Sequence, residues 1–196
     1  MIVRRFAVPV LAATLLLAAC KKEPPPPPPA PTGPTAEELA KRRADSIAAA
    51  RAEAERRAAE ERARAEAHRR AVEAARATLE EMVFFDYDKS DIRDDAAAVL
   101  RRKVDVLRAS PQVQLRIEGH ADERGSTEYN LALGSRRAEA VKQFLVGFGL
   151  SEGRFSTVSY GEERPLVDGH DEAAWAKNRR AEFVITAGAN AINPPN

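Results

Sequence analysis

From Met82 onward the chain alternates between two apolar rhythms. Val113, Leu115 and Ile117 fall on one side of the stretch VQLRIEG and Gln114, Arg116 and Glu118 on the other, the period of two of a half-buried strand. MVFFDY, Phe155–Tyr160 and Arg180–Thr186 read as three further strands. Between them, Lys89–Ala109 carries Ala96, Val99, Leu100, Val104 and Leu107 at helical spacing and stops at Ser110-Pro111. Thr127–Phe148 repeats the pattern with Leu131, Gly134, Ala138, Val141, Leu145 and Phe148, and stops at Gly149. Gly161–Asn178, with Pro165 and Gly169, predicts a long loop. The order β-α-β-α-β-β over about a hundred residues predicts one small α/β domain at 82–187, a sandwich with its helices on one side of a mixed sheet. Residues 188–196 predict a disordered tail.

Upstream the rhythm fades. Residues 36–81 are alanine, arginine and glutamate without glycine or proline, a composition of high helix propensity. Acid-first pairs four residues apart, Glu37/Lys41, Glu38/Arg42, Glu53/Arg57, Glu60/Arg64 and Glu66/Arg70, support a long single helix. Leu39, Ile47, Val72 and Leu79 make no heptad seam, so a solvated spacer of roughly 70 Å is expected rather than a coiled coil. Prolines at 24 to 29, 31 and 34 predict a disordered linker over 20–35, polyproline in character, of which the eleven residues Pro24–Pro34 reach roughly 34 Å.

The first nineteen residues place Arg4 and Arg5 before an apolar run, Phe6–Ala19, too short to span a bilayer as a helix and patterned as a signal peptide. Leu17-Ala18-Ala19-Cys20 resembles the bacterial lipobox, which implies lipidation of Cys20, the single cysteine. Lys21 in place of an aspartate implies outer-membrane sorting. Cleavage would remove two of the 31 basic residues, leaving 29 against 30 acidic ones. A near-neutral chain of this kind excludes a nucleic-acid partner, which needs a clustered basic excess. No histidine, cysteine or acid spacing points to a metal, and no glycine-rich loop to a nucleotide, so no cofactor is expected.

The candidate chemistry lies in IEGHADERGSTEYNLALGSRRAEAV. Asp122 follows a strand, and Ser126 and Thr127 suit the N-cap of the next helix, whose free N–H groups and dipole favour an anion. On the helical wheel Asn130 and Arg137 fall at the edge of the apolar stripe, while Arg136 points to water. Tyr129, Leu131 and Phe144 read as core, and His120 as a satisfied residue at the loop edge.

GHADERGSTEYNLALGSRRAEAV, with VSYGEERP and HDEAAWAKNRRAEFV after it, resembles the OmpA-like domain family of peptidoglycan-associated lipoproteins across Phe84–Val184. The resemblance implies a periplasmic domain that binds the diaminopimelate of peptidoglycan stem peptides without catalysis, anchored to the outer membrane by its lipid. A periplasmic Tol β-propeller protein is implied as a second partner, engaging an overlapping surface. Diaminopimelate presents an ammonium and a carboxylate on one carbon, so its receptor needs an acid beside a guanidinium. The family's aspartate and ligand arginine fall at Asp122 and Arg137, and its strand-end acid or amide at Asp88. Tyr87 stands where the family usually has phenylalanine. Asn130 and, in the NRR segment, Arg180 are expected at the border of the site.

Other classes fit less well. A glycosidase needs one carboxyl of raised pKa, and Arg124 beside Asp122 and Glu123 predicts the opposite. A flagellar stator needs a transmembrane helix, and an OmpA barrel about eight amphipathic strands. The long helix leaves a generic OmpA-family lipoprotein outside the Tol system as the alternative. Asp122→Ala or Arg137→Ala is expected to abolish wall binding with the fold intact, and Arg136→Ala to do little.

Overall fold

The computed structural model describes residues 33–195; the expected signal peptide, Cys20 and prolines 24 to 31 lie outside them. The chain divides into two units between Arg51 and Ala52, inside the first helix, α1 (Ala36–Glu80). In the first unit a capping box starts the helix: the Thr35 N–H donates to the Glu38 carboxylate at 3.0 Å, and the Glu38 N–H to Thr35 Oγ1 at 3.2 Å. Leu39 and Ile47 are exposed, as a solvated helix requires. Of the expected pairs, Glu53/Arg57 and Glu66/Arg70 form. Among the described residues no helix is long and apolar enough to cross a membrane.

In the second unit α1 ends inside the core. Ala75 and Leu79 are buried and Val72 packs against them, so the spacer does not stop cleanly at residue 81. There follow β1 (Val83–Phe84), α2 (Asp94–Ala109), β2 (Gln114–His120), α3 (Thr127–Gly147), a 3-10 turn (Glu152–Arg154), β3 (Phe155–Gly161), α4 (Glu172–Asn178) and β4 (Arg180–Ala187). The sheet order is β1-β4-β2-β3, with β4 antiparallel to β1 and β2, and β3 parallel to β2. The mixed α/β sandwich is as expected, with α4 as an addition inside the predicted loop; Asp171 caps it by accepting the Ala174 N–H at 2.8 Å.

The second helix begins at Asp94 rather than Lys89. Arg93 is extended, with φ −70° and ψ 160°, and Asp94 and Asp95 occupy the first turn, where the helix dipole favours acids. Val83, Phe85, Leu115, Ile117, Ala181 and Phe183 meet Leu100, Val104, Leu107, Ala138, Val141 and Leu145 in the core. Lys103 is fully buried among them; its Nζ donates to the carbonyls of Thr78, Leu79 and Glu81 at 2.8, 2.9 and 2.6 Å and lies 3.9 Å from the Phe183 ring centre. It thereby closes the open carbonyl end of α1.

The backbones of α3 and β2 cross at Gly119 and Gly134. A Cβ on Gly119 would stand 1.9 Å from the Gly134 carbonyl oxygen, so neither position has room for a side chain. The tail is tied down, not disordered. Ile192 is buried in the core, and the Asn193 N–H donates to Ser110 Oγ at 2.8 Å.

Candidate ligand-binding site around Asp122

The register of β2 delivers Asp122 to the sheet end. His120 pairs across a bulge with Gly161, and the Ala121 N–H donates to the Gly161 carbonyl at 2.8 Å, so the chain leaves the ladder at Asp122. Ser126 then caps α3, accepting the Tyr129 N–H at 3.3 Å, as expected.

Asp122 is 4% exposed, and both of its oxygens are engaged. Oδ1 accepts from the Arg124 N–H and Nε, each at 3.1 Å; Oδ2 accepts from Arg124 Nη2 at 2.7 Å and Arg179 Nη1 at 3.2 Å. Burial alone would raise the Asp122 pKa, but the Arg124 and Arg179 hydrogen bonds outweigh it and hold the carboxyl below its ordinary value.

Arg137 is fully buried, deeper than the stripe edge, and Arg136 is exposed, as the wheel predicts. Its guanidinium does not bind a carboxylate. Nε donates to the Lys89 carbonyl at 2.9 Å, Nη1 to His120 at 2.7 Å and Nη2 to Asp86 at 3.1 Å. Three of its five N–H donors thus knot the β1–α2 turn to the end of β2. Burial lowers the Arg137 pKa, while the charges of Asp122 and Asp88 draw it back up, so the three predicted residues do share one electrostatic neighbourhood.

Asp88 is exposed and sits in the left-handed region at φ 55°, which aspartate tolerates better than most residues. It accepts a hydrogen bond from the Tyr129 hydroxyl. Tyr129 is therefore not core: it is 44% exposed and faces the site. Leu131 and Phe144 are half-buried.

Asn130 is buried and donates to Glu162 at 2.5 Å, fastening the β3–α4 loop to α3. Arg180 does not reach Asp122. It binds Glu182 through Nε at 2.6 Å and the Arg164 carbonyl through Nη2 at 3.1 Å. Its neighbour Arg179 takes the place at the carboxylate, with Nε on the Phe85 carbonyl at 3.1 Å and Nη2 on Glu172 at 2.6 Å. Sequence reasoning also missed Trp175, whose indole donates to Glu123 at 2.8 Å. An aromatic among small residues in HDEAAWAKN was the available signal. Glu123 is held below its ordinary pKa by Trp175 first and His170 second, not by Arg124. A cleft of about 250 Å³ opens beside Ala121 and Glu123, walled by Glu162, Asp168 and His170.

His120 departs from expectation. It is buried, and neither ring nitrogen has a hydrogen-bond partner; the Arg164 backbone favours the charged ring slightly without completing a bond. Burial, then Arg180, lowers its pKa to about 4, so the ring is neutral near pH 7. Glu118 and Glu182 approach it, a donor set a metal could use. Each of these acids, however, already holds an arginine, Arg116 and Arg180 respectively. The group is better described as an ion-paired patch on the sheet.

Residues 84–179 match the model of the OmpA family. The chain is 52% identical over 99 residues to a peptidoglycan-associated lipoprotein of Haemophilus influenzae, covering 50% of this chain and 65% of that one. It thus spans a little under two thirds of the length of this curated relative. The crystal structure of the peptidoglycan-associated lipoprotein from Burkholderia pseudomallei is 45% identical with a TM-score of 0.52, covering 54% of this chain and 89% of that one. The C-terminal domain of Helicobacter pylori MotB, 21% identical, has a TM-score of 0.52 over 57% of this chain and 88% of that one, and shares the fold. With the sheet order, the capped α3 and the buried Asp122 beside these likenesses, the chain belongs to the OmpA family and is similar within it to the peptidoglycan-associated lipoproteins.

Proposed function

We propose that this chain is a cell-envelope lipoprotein whose folded domain binds peptidoglycan through the ammonium-bearing second centre of diaminopimelate. The observation that carries the reading is Asp122: a buried carboxylate kept ionised at a loop mouth, in the segment shared with named peptidoglycan-associated lipoproteins. A buried, ionised carboxylate at a loop mouth suits a ligand cation, and nearby guanidinium groups suit the carboxylate on the same ligand carbon. The buried Arg137 guanidinium adds positive charge beside Asp122, and Asp88 adds a second negative charge.

The chemistry favours binding over catalysis. Asp122 and Glu123 are both held below their ordinary pKa values, so neither is a general acid near neutral pH. In the full reading Cys20 carries lipid in the outer membrane, the linker and α1 supply reach, and the domain holds the wall. A Tol β-propeller partner, and with it a part in envelope integrity and cell division, belongs to the same proposal on family resemblance; a structural lipoprotein outside that system is the alternative.

Calorimetric titration of the full chain in detergent with a meso-diaminopimelate stem peptide, beside the same peptide carrying lysine, tests the wall reading. Heat with the first alone is expected. No heat from either, with the domain folded by circular dichroism, would sink it.

A further inference from the structure

Arg124 is held unlike the other arginines of the site. Arg137 and Arg179 are anchored on backbone carbonyls and are nearly inaccessible. The Arg124 guanidinium has Asp122 on its edge, with Nε and Nη2 at 3.1 and 2.7 Å, and Glu172 at 3.6 Å. Its faces lie 4.0 Å from the Tyr87 ring centre and 4.1 Å from that of Trp175. The side chain keeps 28% of its surface exposed. A carboxylate edge and two aromatic faces are what holds a ligand cation in a binding slot. With four hydrogen bonds already on it, Asp122 has no acceptor position left for an incoming ammonium.

We propose that Arg124 is a built-in competitor that occupies the cation slot formed by Asp122, Tyr87 and Trp175, and that a ligand ammonium binds by displacing it. This rests on the wall-binding reading of the site. Arg179, fixed by the Phe85 carbonyl and Glu172, stays on Asp122 during the exchange and keeps the carboxylate oriented. The competitor sets specificity. A ligand with an ammonium alone gains only what Arg124 gives up at Asp122, whereas one with a carboxylate on the same carbon gains a further contact with the displaced Arg124 guanidinium and wins the exchange. Tyr87 forms one wall of the slot.

The single tryptophan, Trp175, reports on the exchange, because Arg124 lies on its ring. The full chain in detergent, wild type and Arg124→Gln, would be titrated with the meso-diaminopimelate peptide and its lysine counterpart by calorimetry and by Trp175 emission. The expected result is about ten-fold tighter binding of the first peptide by Arg124→Gln, a larger relative gain for lysine, and loss of the ligand-induced emission change seen in wild type. Should Arg124→Gln fail to fold, Arg124→Lys keeps a cation but loses the two-point grip of Nε and Nη2 on Asp122, and should tighten binding by about three-fold. Unchanged or weaker binding in either folded variant, with wild type binding, overturns the competitor and leaves the site standing. Absence of binding in wild type and variants alike overturns the site, and the competitor with it.

Discussion

Arg137 is a structural tie beside the candidate site. Its predicted role was a salt bridge to the ligand; its observed contacts are three backbone carbonyls from two segments. Arg137→Ala should therefore cost about 3 kcal/mol or more in a urea titration, because buried carbonyls lose charged donors, as well as reducing wall binding. This revises the expectation that the fold would survive unaffected. Asp122→Ala should abolish binding at a smaller stability cost, since Arg179 keeps Glu172 and the Phe85 carbonyl. Arg136→Ala should leave both measurements within error. The difference between Arg136 and Arg137 was legible from helical period, because one position turns the side chain by about 100°. The choice between Arg179 and Arg180 was not. It depends on where β4 begins, and pairing of Arg180 with Phe84 in β1 fixes that point.

Among elements, α3 and β2 carry the site because their backbones touch. Gly134→Ala would put a Cβ 2.3 Å from Ser159 Oγ and 2.7 Å from the Gly119 carbonyl oxygen, forcing helix and strand apart. A loss on the order of 3 kcal/mol in stability is expected, together with weaker ligand binding, measured by thermal melting and calorimetry. The buried end of α1 makes a different prediction. Burial lowers the Lys103 pKa from 10.5 to about 7, with Glu81 and Glu80 opposing and Arg102 assisting. Between those values the unfolded chain holds a proton that the folded chain has released, so the Lys103 contribution to stability rises with pH across that window. Lys103→Met should flatten the slope of unfolding free energy between pH 7 and about 10, and its loss of stability against wild type, from three carbonyls left without their donor, should be largest at the alkaline end of that window. Helix α4 escaped detection because seven residues span too few turns to show a period, although Asp171 was a legible cap.

At the scale of the molecule, the second unit draws its core from the end of α1 as well as from the C-terminal tail. Ile192 is 4% exposed, and Ile192→Ala should cost about 2 to 4 kcal/mol in a denaturant titration, which a disordered tail would not show. Local rules were enough for what is set locally: the helical propensity of residues 36–80, the alternation of β2, the Ser126 cap and the mixed α/β order. The segment from Gly119 to Val141 also pointed to Asp122 and Arg137 as candidates. What only the tertiary structure decided are the contacts made across long stretches of chain. Arg124 and Arg179, not Arg137, hold Asp122; Tyr87 and Trp175, 88 positions apart by number, form one slot; Lys103 caps a helix that ends more than twenty residues before it. The physical reason is that periodicity and capping are properties of neighbouring residues. A buried charge instead finds its partners through whichever loops the sheet register brings to its edge.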